Sequence, residues 1–273
     1  MRLASVSKQF TAAAILVLAQ QQRIGIDDPV SSHLKDFPFE DVTVRHLLNM
    51  TSGIPDCYME LAERHKDEIG ECLTISDVVR LISKYPPDRD GNVNEFHYYN
   101  NTSYVLLAAI VESASGSSFE DFMAEELFQP LGMKNARVWN LVSEDDSFGG
   151  QAESFYGSEV LEPGFLDGVA GDGAVFCSLE DFVIWDKFWR GNELVSAELM
   201  KQAFERPRLA NGSRSDYGFG WVAERKGHFH NGSWLGARTY TYQDDDVFVV
   251  ILDNSSCLMV DSMGREVVDA FDD

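Results

Sequence analysis

Positive charge is scarce in this sequence. Its 22 lysines and arginines face 45 aspartates and glutamates, a formal charge of −23. Nothing here would neutralise a run of phosphates, which excludes nucleic acid as a partner. The same balance argues against an anionic membrane surface. Cysteine is scarce too: Cys57, Cys72, Cys177 and Cys257 are scattered, with no C-x-x-C. That excludes a disulfide scaffold, a zinc ribbon and a thioredoxin motif. Cys57 and Cys72 either pair in an oxidising compartment or stay free as buried thiols. Long hydrophobic runs are missing. The stretch Phe10–Ala19 is too short to span a bilayer. It also lacks a small-x-small cleavage site and runs into the polar Gln20–Arg23. Neither membrane insertion nor a secretory signal is expected. The G-x-S-x-G elbow, the P-loop, the dinucleotide fingerprint and H-E-x-x-H are all absent. His228 and His230 would share one face of a strand, but no third ligand stands at useful spacing, so no metal is expected.

What is present is a globular composition, 44% hydrophobic and 25% charged, in 273 residues. That is enough chain for one large domain or two smaller ones. Ser5–Gln22 is rich in Ala and Leu and apolar almost all round, the pattern of a buried helix. Gly25 and the turn Asp27-Asp28-Pro29 end it. Thr43 caps a short helix through Leu48, and Thr74-x-x-Asp77 opens another to about Lys84, closed by Pro86-Pro87. Asp88–Glu95 is a polar loop, and Thr102–Glu112 is apolar at helical spacing. Ser118-x-x-Asp121 opens a helix that ends before Pro130. Asn140–Gly168 is loop-rich, and Ser178-x-x-Asp181 caps a helix through about Trp189.

The period then changes. Tyr217–Glu224, Gly236–Tyr242 and Val247–Asp253 read as strands, followed by a closing helix over Val260–Phe271. This order predicts an α+β fold, an antiparallel β-sheet flanked by helices. The sheet region takes residues 1–29 and 170–273, and a mostly helical region, 30–169, is inserted between them.

Three short motifs carry chemistry. Ser5-Val6-Ser7-Lys8 is an S-x-x-K. On one helical turn, i and i+3 share a face, so the Ser5 hydroxyl and the Lys8 amine can meet. A serine becomes a nucleophile when a neighbouring base takes its proton. A lysine held against an apolar helix loses solvation, which favours its neutral form. N–H groups at the helix start suit an oxyanion. The plain alternative is a helix cap beside a surface lysine. A second S-x-x-K, Ser32-His33-Leu34-Lys35, sits in a polar, turn-rich stretch and reads as surface.

Y-x-N occurs in two registers, Tyr98-x-Asn100 and Tyr99-x-Asn101. A tyrosine near a lysine shuttles a proton, and an asparagine holds the lysine and a substrate amide. Otherwise the pair is an aromatic turn before a helix cap. His230-Asn231-Gly232 is expected directly before a strand. Its histidine would bind a substrate carboxylate or tune the tyrosine, and its glycine would let a substrate backbone approach. The plain reading is a hairpin entry.

With these stretches in this order, the chain resembles the serine hydrolases of the penicillin-binding-protein and class C β-lactamase family. The resemblance rests on Ala4–Ala13, Val42–Leu48 with Thr51–Asp56, Tyr99–Tyr104, Pro130–Met133, Gly171–Gly173, Tyr217–Trp221 and His230–Trp234. It implies Ser5 as the acylated nucleophile and Lys8 as its proton acceptor. Tyr99 would be general base and acid, and Asn101 would orient the substrate and Lys8. The Tyr99 register follows from the family's Y-x-N-T-x-Y, which ends here at Tyr104. His230 stands in the family's third motif, H-x-G here, where β-lactamases have K-T-G. The oxyanion hole would be the backbone N–H groups of Ser5 and Ser233. Gly232, Trp234 and Asp172 would line the place of the substrate. No metal or organic cofactor is implied.

The implied partner is a small-molecule or peptide substrate, and the reaction is acyl transfer on small esters, D-residue peptides or β-lactams. β-Lactams rank last, because no lysine in the third motif meets their carboxylate. The rival is a catalytically silent sensor of β-lactams or peptidoglycan fragments. Family members carry some tens of residues before the S-x-x-K, including sheet strands. Met1 lies four residues before Ser5, so those strands are expected to be missing, leaving an open sheet edge. The segment from Pro87 to Tyr98 is longer and more polar than the family's usual connection. Oligomeric state and compartment, periplasmic, extracellular or cytoplasmic, stay open.

Overall fold

A computed structural model describes residues 1–143 and 150–272. A 3-10 turn, Ala4–Val6, leads into the helix Ser7–Gln20, in which every residue from Ser7 to Leu18 is buried. No flank of that stretch meets water, which is why its sequence is apolar all round. One side packs on the helix Asn101–Ser115, itself buried from Thr102 to Val111. The polar Gln9 is accommodated by two bonds. Its Nε2 donates to Thr241 Oγ1 at 2.9 Å, and its Oε1 accepts from Trp185 Nε1 at 3.0 Å. Phe10 stacks on Trp185 with ring centres 3.8 Å apart.

The main sheet has four antiparallel strands in chain order, Val222–Ala223, His228–Trp234, Ala237–Gln243 and Phe248–Asp253. In its central hairpin His230 lies opposite Thr241, and Gly232 opposite Thr239. Side chains alternate between faces along a strand. Tyr240 therefore meets the C-terminal helix Val260–Asp272, while Thr239 and Thr241 face the Ala4–Val6 turn and Gln9. Phe248–Asp253 forms an outer edge of this sheet.

The expected caps form: Thr43, Thr74, Ser118 and Ser178 each accept the backbone N–H three residues on. Three readings need correction. The helix opened by Ser118 does not stop before Pro130. It passes through a π segment, Met123–Phe128, into Gln129–Leu131, and ends at Gly132 with φ of 76°. The wider π turns suit a following proline that has no N–H to give.

Tyr217–Glu224 is not one strand; only Val222–Ala223 pairs continuously. The chain turns back at Gly218, whose N–H donates to Trp221 O at 2.8 Å. Gly220 has φ of +75°, and a Cβ there would stand 2.8 Å from Lys8 O and Gln9 N. The turn exists because the Ser7–Gln20 helix lies against it. Finally, His230-Asn231-Gly232 lies inside a strand rather than before one.

Within the loop-rich stretch 140–168, Phe155–Tyr156 pairs with Glu159–Val160, and Phe165–Gly168 forms a 3-10 turn. Residues 144–149 of that stretch lie outside the described residues. Among the described residues no helix is long and apolar enough to cross a membrane. All four cysteines are free thiols.

Candidate active site

The site is organised by one buried amine. Lys8 is fully buried, so its polar head must find protein partners. It finds three: Ser5 Oγ at 3.1 Å, Asn101 Oδ1 at 2.8 Å and the main-chain oxygen of Asp172 at 2.9 Å. These come from three distant segments, which therefore meet at Nζ. The Tyr99 and Tyr104 rings lie 5.0 and 5.8 Å from the same atom, within cation–π range. Ser5 and Lys8 thus share one face, as their spacing requires. Lys35 of the second S-x-x-K is exposed, as is Ser32. Ala4, just before Ser5, has φ of +49°. That left-handed conformation costs a residue with a Cβ about 1–2 kcal/mol, and such strain gathers at functional sites.

The two Y-x-N registers fall in different places. Tyr98 is 54% exposed against 38% for Tyr99, and Asn100 is a cap: its Oδ1 accepts the Ser103 N–H at 2.7 Å, and its Nδ2 donates to Ile54 O. Tyr99 and Asn101 instead line the cavity beside Ser5. Asn101 is held in orientation by Asp56, whose Oδ2 accepts from Asn101 Nδ2 at 2.8 Å. The other oxygen, Asp56 Oδ1, accepts from Thr102 N at 2.9 Å and Thr102 Oγ1 at 3.0 Å. This fixes the amide so that its oxygen faces Lys8. Asp172 also lines the cavity, and its carboxyl accepts from Tyr58 OH at 3.0 Å. Burial pushes the Asp172 carboxyl above the usual carboxylate range, partly offset by the nearby Lys8 charge.

The strand His228–Trp234 forms the opposite wall. Gly232 is required there for a reason the sequence does not reveal. A Cβ on it would stand 2.5 Å from Leu3 O and 2.9 Å from Ser5 N, and would also strike Thr239 Oγ1. The backbone that approaches Gly232 on its Cβ side is therefore the turn that carries Ser5. This contact brings the Ser5 N–H beside the strand, next to Ser233, which lines the cavity. Trp234 lines it too, and its Nε1 donates to Asp167 Oδ1 at 2.7 Å. The same oxygen accepts from Arg2 Nη1 at 2.7 Å, so a buried ion pair backs this wall.

Of the two roles expected for His230, its position bears on the one beside the tyrosine. It is buried, with Nε2 3.0 Å from Tyr217 OH and Nδ1 2.6 Å from the carbonyl oxygen of Asn231. A carbonyl only accepts, so Nδ1 carries the hydrogen and Nε2 accepts from Tyr217. Burial, aided by the Lys8 charge, pulls its pKa down to about 3. A neutral, filled imidazole offers a substrate carboxylate no cation. It packs instead behind Tyr99, with ring centres 6.1 Å apart.

The cavity bounded by these residues has a volume of about 350 Å³, the lower range of small-molecule sites. A hydroxyl, an amine, a phenol and an amide converge on it. Sequence reasoning missed Asp56, Tyr58, Arg2, Asp167 and Tyr217. Only Asp56 and Tyr217 fall within stretches that the resemblance had already marked.

A serine joined to a buried lysine, an adjoining tyrosine and asparagine, and a glycine-bearing wall strand define the penicillin-binding-protein and β-lactamase fold. The chain belongs to the beta-lactamase family, whose model, described as "Beta-lactamase", matches residues 1–266. It is 35% identical over 258 residues to penicillin-binding protein 4* of Bacillus subtilis, covering 87% of this chain and 56% of that protein. It is 26% identical to a D-aminopeptidase of Brucella anthropi, over 83% of this chain and 43% of that one. The crystal structure of a penicillin-binding protein from Bacillus halodurans superposes with a TM-score of 0.82 at 24% identity, covering 99% of this chain and 85% of that one. The chain spans about half the length of these two curated relatives.

Proposed function

We propose that the chain is a serine hydrolase working by acyl transfer through a Ser5 acyl-enzyme, on small esters or D-residue peptides ahead of β-lactams. The observation that carries this reading is the simultaneous bonding of the buried Lys8 Nζ to Ser5, Asn101 and Asp172 beside the cavity. In the reaction, which requires Lys8 as a neutral amine, Ser5 Oγ attacks the substrate carbonyl carbon and its proton passes to the Lys8 lone pair, while the amine's own hydrogens stay directed at Asn101 Oδ1 and the Asp172 main-chain oxygen. The carbonyl oxygen becomes an oxyanion against the backbone N–H groups of Ser5 and Ser233. Tyr99, over Lys8, relays the proton to the leaving group as the C–O or C–N bond breaks. A water molecule then attacks the Ser5 ester: its oxygen joins the acyl carbon, the bond from that carbon to Ser5 Oγ breaks, and its proton passes through Tyr99 and Lys8 to Ser5 Oγ. Asn101 holds Lys8 and the substrate amide, and Gly232, Trp234 and Asp172 shape the cavity.

The ranking of substrates rests on charge. A β-lactam carboxylate needs a cation, and His230 is neutral, while Arg2 is already paired with Asp167. The test is hydrolysis of a p-nitrophenyl ester and nitrocefin side by side. Ester turnover is expected to exceed nitrocefin turnover. It should fall to background in Ser5→Ala and by about 10²–10⁴-fold in Lys8→Ala. Fast nitrocefin turnover without esterase activity overturns the ranking, and unchanged turnover in Ser5→Ala overturns the mechanism.

A further inference from the structure

The acceptors around Lys8 are held in place by different means. Asn101 is oriented by the Asp56 carboxyl. The main-chain oxygen of Asp172 lies in a segment laid along the start of the Ser7–Gln20 helix. Thr11 Oγ1 donates to Gly171 O at 2.6 Å, and Ser7 Oγ accepts from Val175 N at 3.1 Å. These bonds fasten the segment on either side of Asp172. Asp172 itself is anchored through its side chain, whose carboxyl accepts from Tyr58 OH at 3.0 Å. Tyr58 is buried, and its own backbone is fixed. The N–H groups of Cys57 and Tyr58 donate to Thr102 Oγ1 at 2.9 and 3.1 Å, and that hydroxyl donates to Asp56 Oδ1 at 3.0 Å. One short stretch, residues 56 to 58, therefore reaches two of the three partners of Lys8. Asp56 reaches the Asn101 amide, and Tyr58 reaches Asp172.

A neutral amine has two hydrogens and one lone pair. Acyl transfer needs the lone pair on the Ser5 hydroxyl, so both hydrogens need acceptors elsewhere. Asn101 Oδ1 and Asp172 O are those acceptors. We infer that Tyr58 is a positioning residue for the activation of Ser5: by holding the Asp172 carboxyl, it fixes the main-chain oxygen that turns the Lys8 lone pair towards Ser5. This rests on the acyl-transfer reading above. The Tyr58 hydroxyl acts at one remove, through Asp172, so its loss slows the step at Ser5 rather than the capture of a ligand. The competing role is direct contact with the ligand, because Tyr58 also lines the cavity. The two roles differ in what they do to rate and to binding.

The experiment follows labelling of Ser5 by a fluorophosphonate over a range of probe concentrations. It compares wild type, Tyr58→Phe, Asp172→Ala and the double variant. Tyr58→Phe removes one oxygen and keeps the buried ring. The maximal labelling rate is expected to fall about tenfold in Tyr58→Phe, with the half-saturating probe concentration within about twofold of wild type. Both single variants break the same bond, so the double variant is expected to be no slower than the slower single one. An unchanged maximal rate in a folded Tyr58→Phe overturns the inference and leaves acyl transfer standing. So does a loss confined to the half-saturating concentration, or a double variant in which the two falls multiply. Should Tyr58→Phe fail to fold, Asp172→Ala decides: a fall in its maximal rate supports the inference, and labelling at the wild-type rate overturns it. Absence of Ser5 labelling in wild type overturns the acyl-transfer reading, and this inference with it.

Discussion

Among single residues, Lys8 and His230 show how burial assigns a role. Both are closed to water. Lys8 meets three acceptors from three segments, so it organises the site. His230 meets one donor and one acceptor, Tyr217 OH and the Asn231 carbonyl, and both ring nitrogens are satisfied. Its depressed pKa has a consequence for stability. Unfolded, His230 takes up a proton near pH 6.5; folded, near pH 3. Between those values the unfolded chain binds more protons, so its stabilising contribution is complete above about pH 6.5 and is lost as pH falls towards 3. The slope for one group is at most about 1.4 kcal/mol per pH unit. Burial shifts His46, His97 and His228 the same way, so the comparison must isolate His230. Urea denaturation of wild type and His230→Gln at pH 7 and pH 5 does so. Wild type is expected to lose stability relative to the variant on acidification; parallel losses would contradict the assignment.

Elements set where these residues stand. The decisive contact is between the Ala4–Val6 turn and the strand His228–Trp234, which meet at Gly232. Gly232→Ala would push on the backbone at Leu3 and Ser5, both held within buried structure. It is expected to cost about 1–3 kcal/mol of stability and to lower the rate of Ser5 acylation, because the Ser5 hydroxyl and the Ser5 N–H move together. Thermal melts and fluorophosphonate labelling rates measure the two effects. A variant with unchanged melting and unchanged labelling would show that the strand and the turn are not in contact.

The sequence made one side of this geometry legible. S-x-x-K and Y-x-N place their partners within one turn, and a buried helix announces itself by composition. The caps at Thr43, Thr74, Ser118 and Ser178 were legible because each bonds three residues away. Asp56 with Asn101, Tyr58 with Asp172 and Arg2 with Asp167 are 45, 114 and 165 positions apart. No local period records such pairings. The break in the expected strand Tyr217–Glu224 was not legible, because its Gly220 answers to a neighbouring helix rather than to its own segment.

Seen whole, the molecule is a helical layer and a four-stranded sheet closed around the Ser7–Gln20 helix, with the cavity at the amino end of that helix. The large buried cluster runs from Leu3 through the helical region to Trp221. The sheet and the helical region therefore share one core, and the reacting groups stand where their segments join. The net charge of −23 accords with a cavity that offers carboxylates rather than free cations. The central claim is that this junction turns Ser5 into a nucleophile through Lys8. It is tested most directly by rapid-quench peptide mass spectrometry during p-nitrophenyl acetate turnover. The account predicts one acetyl group on the Ser5 peptide, formed as fast as nitrophenolate appears and absent at that rate from Lys8→Ala. Ester hydrolysis with Ser5 unmodified, or with Lys8→Ala acylated at the wild-type rate, would contradict it.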